Sequence, residues 1–265
     1  MTRPMTAGVT GPAEFVRGSG PGLVLAHGAG SDIQDSFGTV IDRLAATNTV
    51  VAPDYPGSGG MPRSRTPLTL DGLADGLADA ATRAGQQRFA VLGFSTGTAV
   101  AVRLATRHPE RVTALVLSAG LAHPNARLRL LVRTWRRLAG DPESLAAFLL
   151  LLGWSPDWLD RRSGTEIDEL AAAIGPALPA GADDQLDLLL RVDVRADLAA
   201  LAVPALVVAG RHDLVVSGAH ARELVDTIGH ARLIELESGH ALAAERPAEW
   251  ARAVAEFLAE VTPAS

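Results

Sequence analysis

The chain has 265 residues, of which 48% are hydrophobic, so it can bury the core of one large α/β domain with an insertion or of two small domains. Its formal net charge of −6 argues against nucleic acid as a primary partner. The chain has no Cys, and all 24 of its basic residues are Arg, which excludes thiol nucleophiles, disulfides, Schiff-base lysines and phosphate-binding loops that end in Gly-Lys.

Residues 1–15 lack the charged start and apolar stretch of a secretory signal. The longest apolar run, residues 145–154, is about half of the roughly 20 residues that a membrane-spanning helix needs. The seven His show no His-Glu-x-x-His spacing, so we expect no metal site. We predict a cytoplasmic protein that acts without a membrane partner and without a cofactor.

Short apolar runs alternate with longer helical patterns along the chain. The runs predict strands, buried on both faces, at residues 23–26, 49–52, 89–94, 114–117, 205–209 and 233–236. The helical patterns predict helices at residues 33–46, 69–84, 96–107, 218–228 and 247–261. This alternation predicts an α/β fold with a mostly parallel, doubly wound sheet.

Residues 121–203 interrupt this alternation, because they contain helical segments but no convincing strand. We predict that they form a helical cap inserted into a core of residues 1–120 and 204–265. In an open parallel sheet, ligands bind beyond the carboxyl ends of the strands. A cap at that edge would close a pocket and exclude water.

Ser95 lies where a predicted strand turns into a predicted helix. Residues 93–97 read Gly-Phe-Ser-Thr-Gly, a pattern that chance alone produces in about one chain in ten of this composition. A strand that ends abruptly in a helix needs a sharp turn, and the side chain at its apex points into open space. Gly93 and Gly97 have no side chains to collide across that turn. The setting therefore indicates that Ser95 is a nucleophile.

Other polar loops also follow predicted strands. A His-Gly-Ala-Gly loop occupies residues 27–30, and an Asp-Tyr-Pro-Gly-Ser-Gly loop occupies residues 54–59. Asp213 and His240 follow the last two predicted strands. A parallel sheet gathers such residues at one edge, so we expect them to lie near Ser95.

With these loops in this order, the chain resembles the α/β-hydrolase superfamily from residue 14 to residue 258. The resemblance implies a catalytic triad of Ser95, Asp213 and His240. It also implies an oxyanion hole formed by the backbone N–H groups of Ala29 and Thr96. Haloalkane dehalogenases and soluble epoxide hydrolases of this superfamily have Asp at the position of Ser95. The chain is therefore more similar to the small lactonases, esterases and carbon–carbon hydrolases.

Two members of this triad have rivals in the sequence. His230, like His240, follows a Gly, but it precedes the last predicted strand and would lie at the opposite edge of the sheet. Asp197 and Asp226 compete with Asp213, but both lie on probable helices, where a solvated charge is the simpler interpretation. We therefore favour His240 as the base and Asp213 as the residue that orients it.

The predicted cap contains most of the aromatic side chains that could form the ceiling of a substrate pocket. We predict that Trp135, Phe148, Trp154 and Trp158 line this pocket, together with His27 from the first loop. The alternative is that the aromatic residues hold the cap helices together and that His27 shapes its own loop.

A basic stretch in the predicted cap interrupts an otherwise acidic protein. It consists of Arg127, Arg129, Arg133, Arg136 and Arg137. A solvated helix face is one interpretation. The other is attraction of an anionic substrate, such as a carboxylate or an acyl group linked to an acyl carrier or to CoA.

These features predict a serine hydrolase that opens an ester, lactone or thioester of an apolar small molecule through an acyl-enzyme. Carbon–carbon hydrolases, lyases and cyclases that use the same residues are an alternative. A ligand receptor without catalytic activity, built on the same fold, is a further one.

Overall fold

A computed structural model describes residues 14–261 of the chain, except for the side chains of residue 14 and residues 175–177. The strands are β1 (Glu14–Arg17), β2 (Gly22–Ala26), β3 (Thr49–Pro53), β4 (Phe89–Phe94), β5 (Val112–Ser118), β6 (Ala205–Gly210) and β7 (Arg232–Leu236). The helices before β5 are α1 (Ile33–Phe37), α2 (Ile41–Ala45), α3 (Leu70–Arg83) and α4 (Thr96–Arg107). Those between β5 and β6 are α5 (Ala126–Leu138), α6 (Pro142–Gly153), α7 (Pro156–Asp160), α8 (Gly164–Ala177), α9 (Ala182–Leu189) and α10 (Arg195–Leu198). Those after β6 are α11 (Gly218–Ile228), α12 (Leu242–Glu245) and α13 (Pro247–Val261).

The strands form one sheet in the spatial order β1-β3-β2-β4-β5-β6-β7. β1 runs antiparallel to β3, and all other neighbouring strands are parallel. Parallel neighbours need crossover connections, which helices supply here. The predicted α/β fold with a mostly parallel sheet is therefore confirmed.

Alternate residues of the central strands point to opposite faces of the sheet. In β2, Val24 packs into the apolar cluster with α3, α4 and α11, whereas Leu25 packs into the cluster with α1, α2 and α13. Val91 and Leu92 of β4 divide in the same way. All four side chains are fully buried, and each contributes about 1.5–3 kcal/mol by leaving water. The two cores hold the strands rigidly, so the loops at their carboxyl ends have fixed positions.

Helices α5 to α10 lie in residues 121–203, named here the helical segment, which contains no strand in its described residues. Leu128 and Val132 of α5 pack with Leu186 and Leu189 of α9 and with Val216, which follows β6. This apolar cluster joins the helical segment to the sheet's carboxyl edge. The division into a core of residues 1–120 and 204–265 and a separate cap stays a prediction. Within residues 14–261, no helix has the length and apolarity to cross a membrane.

Three local predictions differ from the structure. The helix predicted at residues 33–46 is two short helices, because Gly38, Thr39 and Val40 between them have low helix propensity. The prediction that β7 is buried on both faces is wrong. β7 is an edge strand, and Leu233 within it is 37% exposed. β1, at the other edge, was not predicted, since two of its four residues are charged.

Candidate active site

Ser95 occupies a strained turn between β4 and α4. Its φ of 53° and ψ of −121° lie in a region that residues other than Gly rarely adopt. The Ser95 N–H donates to the Ser118 carbonyl at 2.9 Å, and the Thr98 N–H donates to the Ser95 carbonyl at 3.0 Å. A side chain at Gly97 would overlap the backbone oxygen of Ala26. Close packing on all sides therefore fixes Ser95 at the carboxyl end of β4.

The sheet brings Ser95, Asp213 and His240 into one hydrogen-bonded chain. His240 Nε2 lies 3.1 Å from Ser95 Oγ, and His240 Nδ1 lies 2.8 Å from Asp213 Oδ2. The other carboxylate oxygen of Asp213 accepts the N–H groups of Val215 and Val216, each at 2.8 Å. Because Asp213 accepts the proton on Nδ1, Nε2 is free to accept the Ser95 proton. The arrangement can therefore activate Ser95 as a nucleophile.

Burial strengthens the hydrogen bonds among Ser95, His240 and Asp213. Only 1% of the Asp213 side chain and 12% of the His240 side chain are exposed. A carboxylate shielded from water stabilises the imidazolium that forms when His240 takes a proton.

The rivals of these residues lie elsewhere. His230 is exposed, and its Nε2 is 2.9 Å from the carbonyl of Val203, before β6 begins. Asp197 forms an ion pair with Arg103 at 3.2 Å. Asp226 is exposed on α11. None of the three reaches Ser95, so the geometry supports the predicted choice of His240 and Asp213.

Glu245 anchors the loop that carries His240. Its Oε1 accepts the N–H of Gly239 at 2.7 Å and the N–H of Ser155 at 2.9 Å, while its Oε2 accepts the Ser155 hydroxyl at 2.6 Å. Gly239 immediately precedes His240, and Ser155 belongs to the helical segment. Sequence reasoning missed Glu245, because no motif or periodicity connects it to Ser155, 90 residues earlier.

The loop after β2 lies beside Ser95. A side-chain carbon built on Gly28 would lie 3.3 Å from Ser95 Cβ. The N–H of Thr96 is the first in α4, and the first N–H groups of a helix have no acceptor within it. Among the described residues, neither this N–H nor that of Ala29 takes part in a loop or turn hydrogen bond. Both can therefore donate to an oxygen bound at Ser95.

Gln185 of α9 holds this loop from the helical segment. Its Oε1 accepts the Gly30 N–H at 2.8 Å, and its Nε2 donates to Ser58 Oγ at 2.7 Å. The Ser58 hydroxyl in turn donates to the Ser31 carbonyl at 2.6 Å. Gln185 is 1% exposed, so water does not compete for these bonds. Sequence reasoning missed Gln185 as well, since this contact spans more than 100 residues.

His27 does not line the pocket, so its predicted role there is wrong. It is fully buried, and its Nδ1 donates to the Gly28 carbonyl at 2.8 Å. Its Nε2 accepts the Tyr55 N–H at 2.9 Å. Burial lowers the pKa of His27 to about 4, although the bond to Gly28 opposes this. The neutral ring therefore shapes the loop, as the alternative interpretation expected.

A cavity of about 420 Å³ opens in front of Ser95. Its walls come from the loops after β2, β4, β5, β6 and β7 and from the helical segment. The large apolar side chains that line it are Phe94, Leu121, Leu128, Leu131, Trp135, Leu149, Leu152, Trp154, Ile174, Leu178, Leu186, Leu189, Val215, Val216 and Leu242. Polar side chains of the segment 31–39 complete the wall, and they are Ser31, Gln34, Asp35, Ser36 and Thr39.

Two of the four predicted aromatic residues line this cavity. Trp135 and Trp154 do, whereas Phe148 and Trp158 do not. In α6, Leu149 and Leu152 line the cavity, but Phe148, which immediately precedes Leu149, does not. Trp158 packs behind Trp154, with 5.6 Å between the ring centroids. The prediction that Phe148 and Trp158 line the pocket is therefore wrong. It rested on their aromatic character, which does not tell which side chains reach the cavity.

The chain is similar to several known proteins in sequence and in structure. The sequence matches the alpha/beta hydrolase fold family over residues 21–247. It is 32% identical over 246 residues to pyrrolizixenacetamide deacetylase of Xenorhabdus hominickii, and the aligned region covers 92% of each chain. It is 28% identical over 262 residues to pimeloyl-(acyl-carrier protein) methyl ester esterase of Aeromonas hydrophila, covering 91% of this chain and 96% of that protein. In structure it is similar to the enol-lactonase of Burkholderia xenovorans LB400, with a TM-score of 0.82, 23% identity, and 93% and 95% of the two chains covered.

Proposed function

Because the chain belongs to the α/β-hydrolase fold family, we propose that it is a serine hydrolase that cleaves an ester, lactone or thioester through an acyl-enzyme on Ser95. The observation that carries the proposal is the chain of hydrogen bonds from Ser95 Oγ through His240 to Asp213, at 3.1 and 2.8 Å. The relatives of this protein include an esterase and a deacetylase.

The proposed reaction begins when Ser95 Oγ attacks the substrate carbonyl carbon and His240 Nε2 takes the hydroxyl proton. Asp213 stabilises the imidazolium that results. The carbonyl oxygen becomes an oxyanion, and the N–H groups of Ala29 and Thr96 donate to it. When the tetrahedral intermediate collapses, His240 gives its proton to the leaving group. His240 then deprotonates a water molecule, which attacks the acyl-enzyme. As the bond to Ser95 Oγ breaks and the acid is released, His240 returns this proton to Ser95 Oγ.

The cavity supports a small, largely apolar substrate. Its volume of about 420 Å³ falls in the range of sites for drug-sized ligands, roughly 300–1,000 Å³. Apolar side chains dominate its walls, and Trp135 and Trp154 add large flat surfaces. Burial of apolar substrate atoms there contributes binding energy that can orient the scissile bond.

A carrier-linked or CoA-linked acyl thioester is a narrower candidate. Arg136 pairs with Asp183 and Asp187, at 2.6 and 2.5 Å. Among the described residues, Arg133 and Arg137 of α5 form no ion pair, and both are exposed. If they bind the phosphates of such a substrate, an acyl-CoA should react faster than the same acyl group on N-acetylcysteamine, and R133Q/R137Q should remove the difference. Equal rates in the unsubstituted protein would exclude this candidate.

An amide bond is a second candidate, and the identity to a deacetylase favours it. Amides and esters share the tetrahedral intermediate, but an amide's nitrogen must be protonated before it leaves. His240 is placed to supply that proton. Cleavage of p-nitroacetanilide would distinguish an amidase from an enzyme restricted to esters.

A panel of p-nitrophenyl esters, lactones, acyl thioesters and anilides tests the proposed function. We expect turnover of at least one class, and Ser95→Ala should reduce it by about 10³-fold or more. If Ser95→Ala keeps full activity while His240→Ala loses it, the lyase or carbon–carbon hydrolase alternative is favoured instead. Binding of a panel compound with no turnover would favour the receptor alternative.

A further inference from the structure

A chain of hydrogen bonds leads from the loop beside Ser95 to the carboxylate of Asp35. The Gly28 N–H donates to Ser36 Oγ at 3.4 Å, and Ser36 Oγ lies 2.8 Å from Ser31 Oγ. Ser31 Oγ donates to Asp35 Oδ2 at 2.7 Å. Since Ser31 gives its proton to Asp35, it accepts the proton of Ser36. The carboxylate therefore orients both hydroxyls.

Asp35 lines the cavity, and no cationic side chain in the described part of the chain pairs with it. Its Oδ1 accepts no hydrogen bond from the described residues, and no ion pair among them includes it. Desolvation raises the pKa of Asp35, the bond from Ser31 opposes this, and the charge of Asp32 adds to the increase. The side chain is nevertheless accessible to solvent, which partly screens its charge. A cation that a ligand brings beside this carboxylate would gain the modest stabilisation of a partly screened ion pair.

The rest of the cavity wall suits a cation. Among the described residues of the wall, His240 is the only titratable side chain apart from Asp35, and none of them is Arg. Trp135 lies against Gly30, since a side-chain carbon built on Gly30 would be 2.8 Å from Trp135 Cη2. Indole faces attract ammonium groups, as they do in choline-binding sites.

We infer that Asp35 forms a subsite for an ammonium group of the substrate, so that the enzyme prefers acyl compounds that carry one positive charge. The inference rests on the proposed hydrolase function, because the subsite belongs to the cavity that contains Ser95. Asp35 is a specificity-determining residue in this account and takes no part in bond cleavage.

A pair of phosphonothiolates that modify Ser95 tests the inference without knowledge of the natural substrate. One carries a thiocholine leaving group, and the other carries its neutral 3,3-dimethylbutyl counterpart, in which carbon replaces the charged nitrogen. We expect the second-order rate constant of inactivation to favour the cationic reagent by about fivefold, as for a partly screened ion pair. Asp35→Asn should remove this preference by slowing only the cationic reagent.

Asp32→Asn is the matched control. It removes a charge three residues away, and Asn caps α1 as well as Asp does. Asp32 does not line the cavity, so the preference should persist in this variant. Its loss there would overturn the inference, because a general electrostatic field would then explain the preference.

Two further outcomes would contradict the subsite. If Asp35→Asn slows both reagents equally, Asp35 only supports the loop through Ser31 and Ser36. If tetramethylammonium protects Ser95 from the neutral reagent no better than tert-butanol does, the unsubstituted protein has no cation subsite. If neither reagent modifies Ser95 at all, the proposed hydrolase function fails, which is a separate result.

Discussion

Glu245 and Ser155 are joined by two hydrogen bonds, one from the Ser155 N–H at 2.9 Å and one from its hydroxyl at 2.6 Å. Ser155 is the N-cap of α7 in the helical segment, and Glu245 lies five residues after His240. Glu245 also accepts the Gly239 N–H. A single carboxylate therefore connects the helical segment to the loop that carries His240. The position of His240 therefore depends on contacts made by the helical segment.

Glu245→Ala should reduce kcat by about tenfold, because the loss of one carboxylate leaves two N–H groups and a hydroxyl without their acceptor. The free energy of unfolding should fall by about 1–3 kcal/mol. Glu245→Gln keeps one carbonyl oxygen for the two N–H groups, and its kcat should stay within about threefold. Kinetics on a p-nitrophenyl ester, with KM measured separately, check this. If KM rises while kcat is unchanged in Glu245→Ala, Glu245 does not position His240.

Asp213→Asn should reduce kcat by about 10³–10⁴-fold while the protein stays folded. The amide oxygen can still accept the Val215 and Val216 N–H groups, but the amide NH₂ would face His240 Nδ1. That contact favours the tautomer in which Nε2 carries the proton and cannot accept one from Ser95. Steady-state kinetics and a thermal unfolding curve measure the two effects. A drop in kcat of less than tenfold would show that Asp213 does not orient His240.

Gly97→Ala should lower the free energy of unfolding by about 2–3 kcal/mol. The added methyl group would overlap the backbone oxygen of Ala26 and lie 2.6 Å from that of His27, and neither backbone can move away cheaply. Gly76→Ala is the matched control, because Gly76 also lies in a helix but has open space around it. This control should stabilise the protein by about 0.5–1 kcal/mol. Urea denaturation compares them, and equal effects would contradict the close approach of α4 to β2.

The stability of the protein should fall as the pH is lowered from 6.5 toward 4. The pKa of His27 is about 4 in the folded state and near the ordinary histidine value of 6.5 when the chain is unfolded. The unfolded chain therefore binds one more proton in this window, and stability rises with pH by up to about 1.4 kcal/mol per pH unit. His220 also has a lowered pKa because of burial, so it adds to the trend.

Urea denaturation at pH 6.5, 5.5 and 5.0 measures this slope in the unsubstituted protein and in His27→Gln. His27→Gln should make this slope smaller by up to about 1.4 kcal/mol per pH unit, which corresponds to one proton. An NMR titration of the His27 ring with a midpoint near pH 6.5 would contradict the account.

The sequence predicts the turn at Ser95 well, because a strand, a sharp turn and a helix are encoded by neighbouring residues. It also predicts the mostly parallel sheet, since the alternation of short apolar runs with helical patterns is strong. The sequence does not predict that residues 33–45 form two short helices, because the periodicity of the apolar residues continues across Gly38. The exposure of β7 depends on its position at the edge of the sheet, and the local sequence pattern does not predict that position.

Contacts between distant segments escape sequence reasoning for a physical reason. Gln185 and Glu245 each bind loops that lie far away in the chain, and their effect appears only when the helical segment is placed on the sheet. The same holds for the cavity wall. Trp135 and Phe148 are equally apolar in sequence, but the orientation of α5 and α6 brings only Trp135 to the cavity.

The most direct test of the proposed mechanism is the mass of the intact protein after reaction with a fluorophosphonate. We predict one adduct per chain, located on Ser95 by peptide mapping, none in Ser95→Ala, and a much slower reaction in His240→Ala. An adduct that forms equally fast in Ser95→Ala, or no adduct in the unsubstituted protein, would contradict a serine acyl-enzyme mechanism.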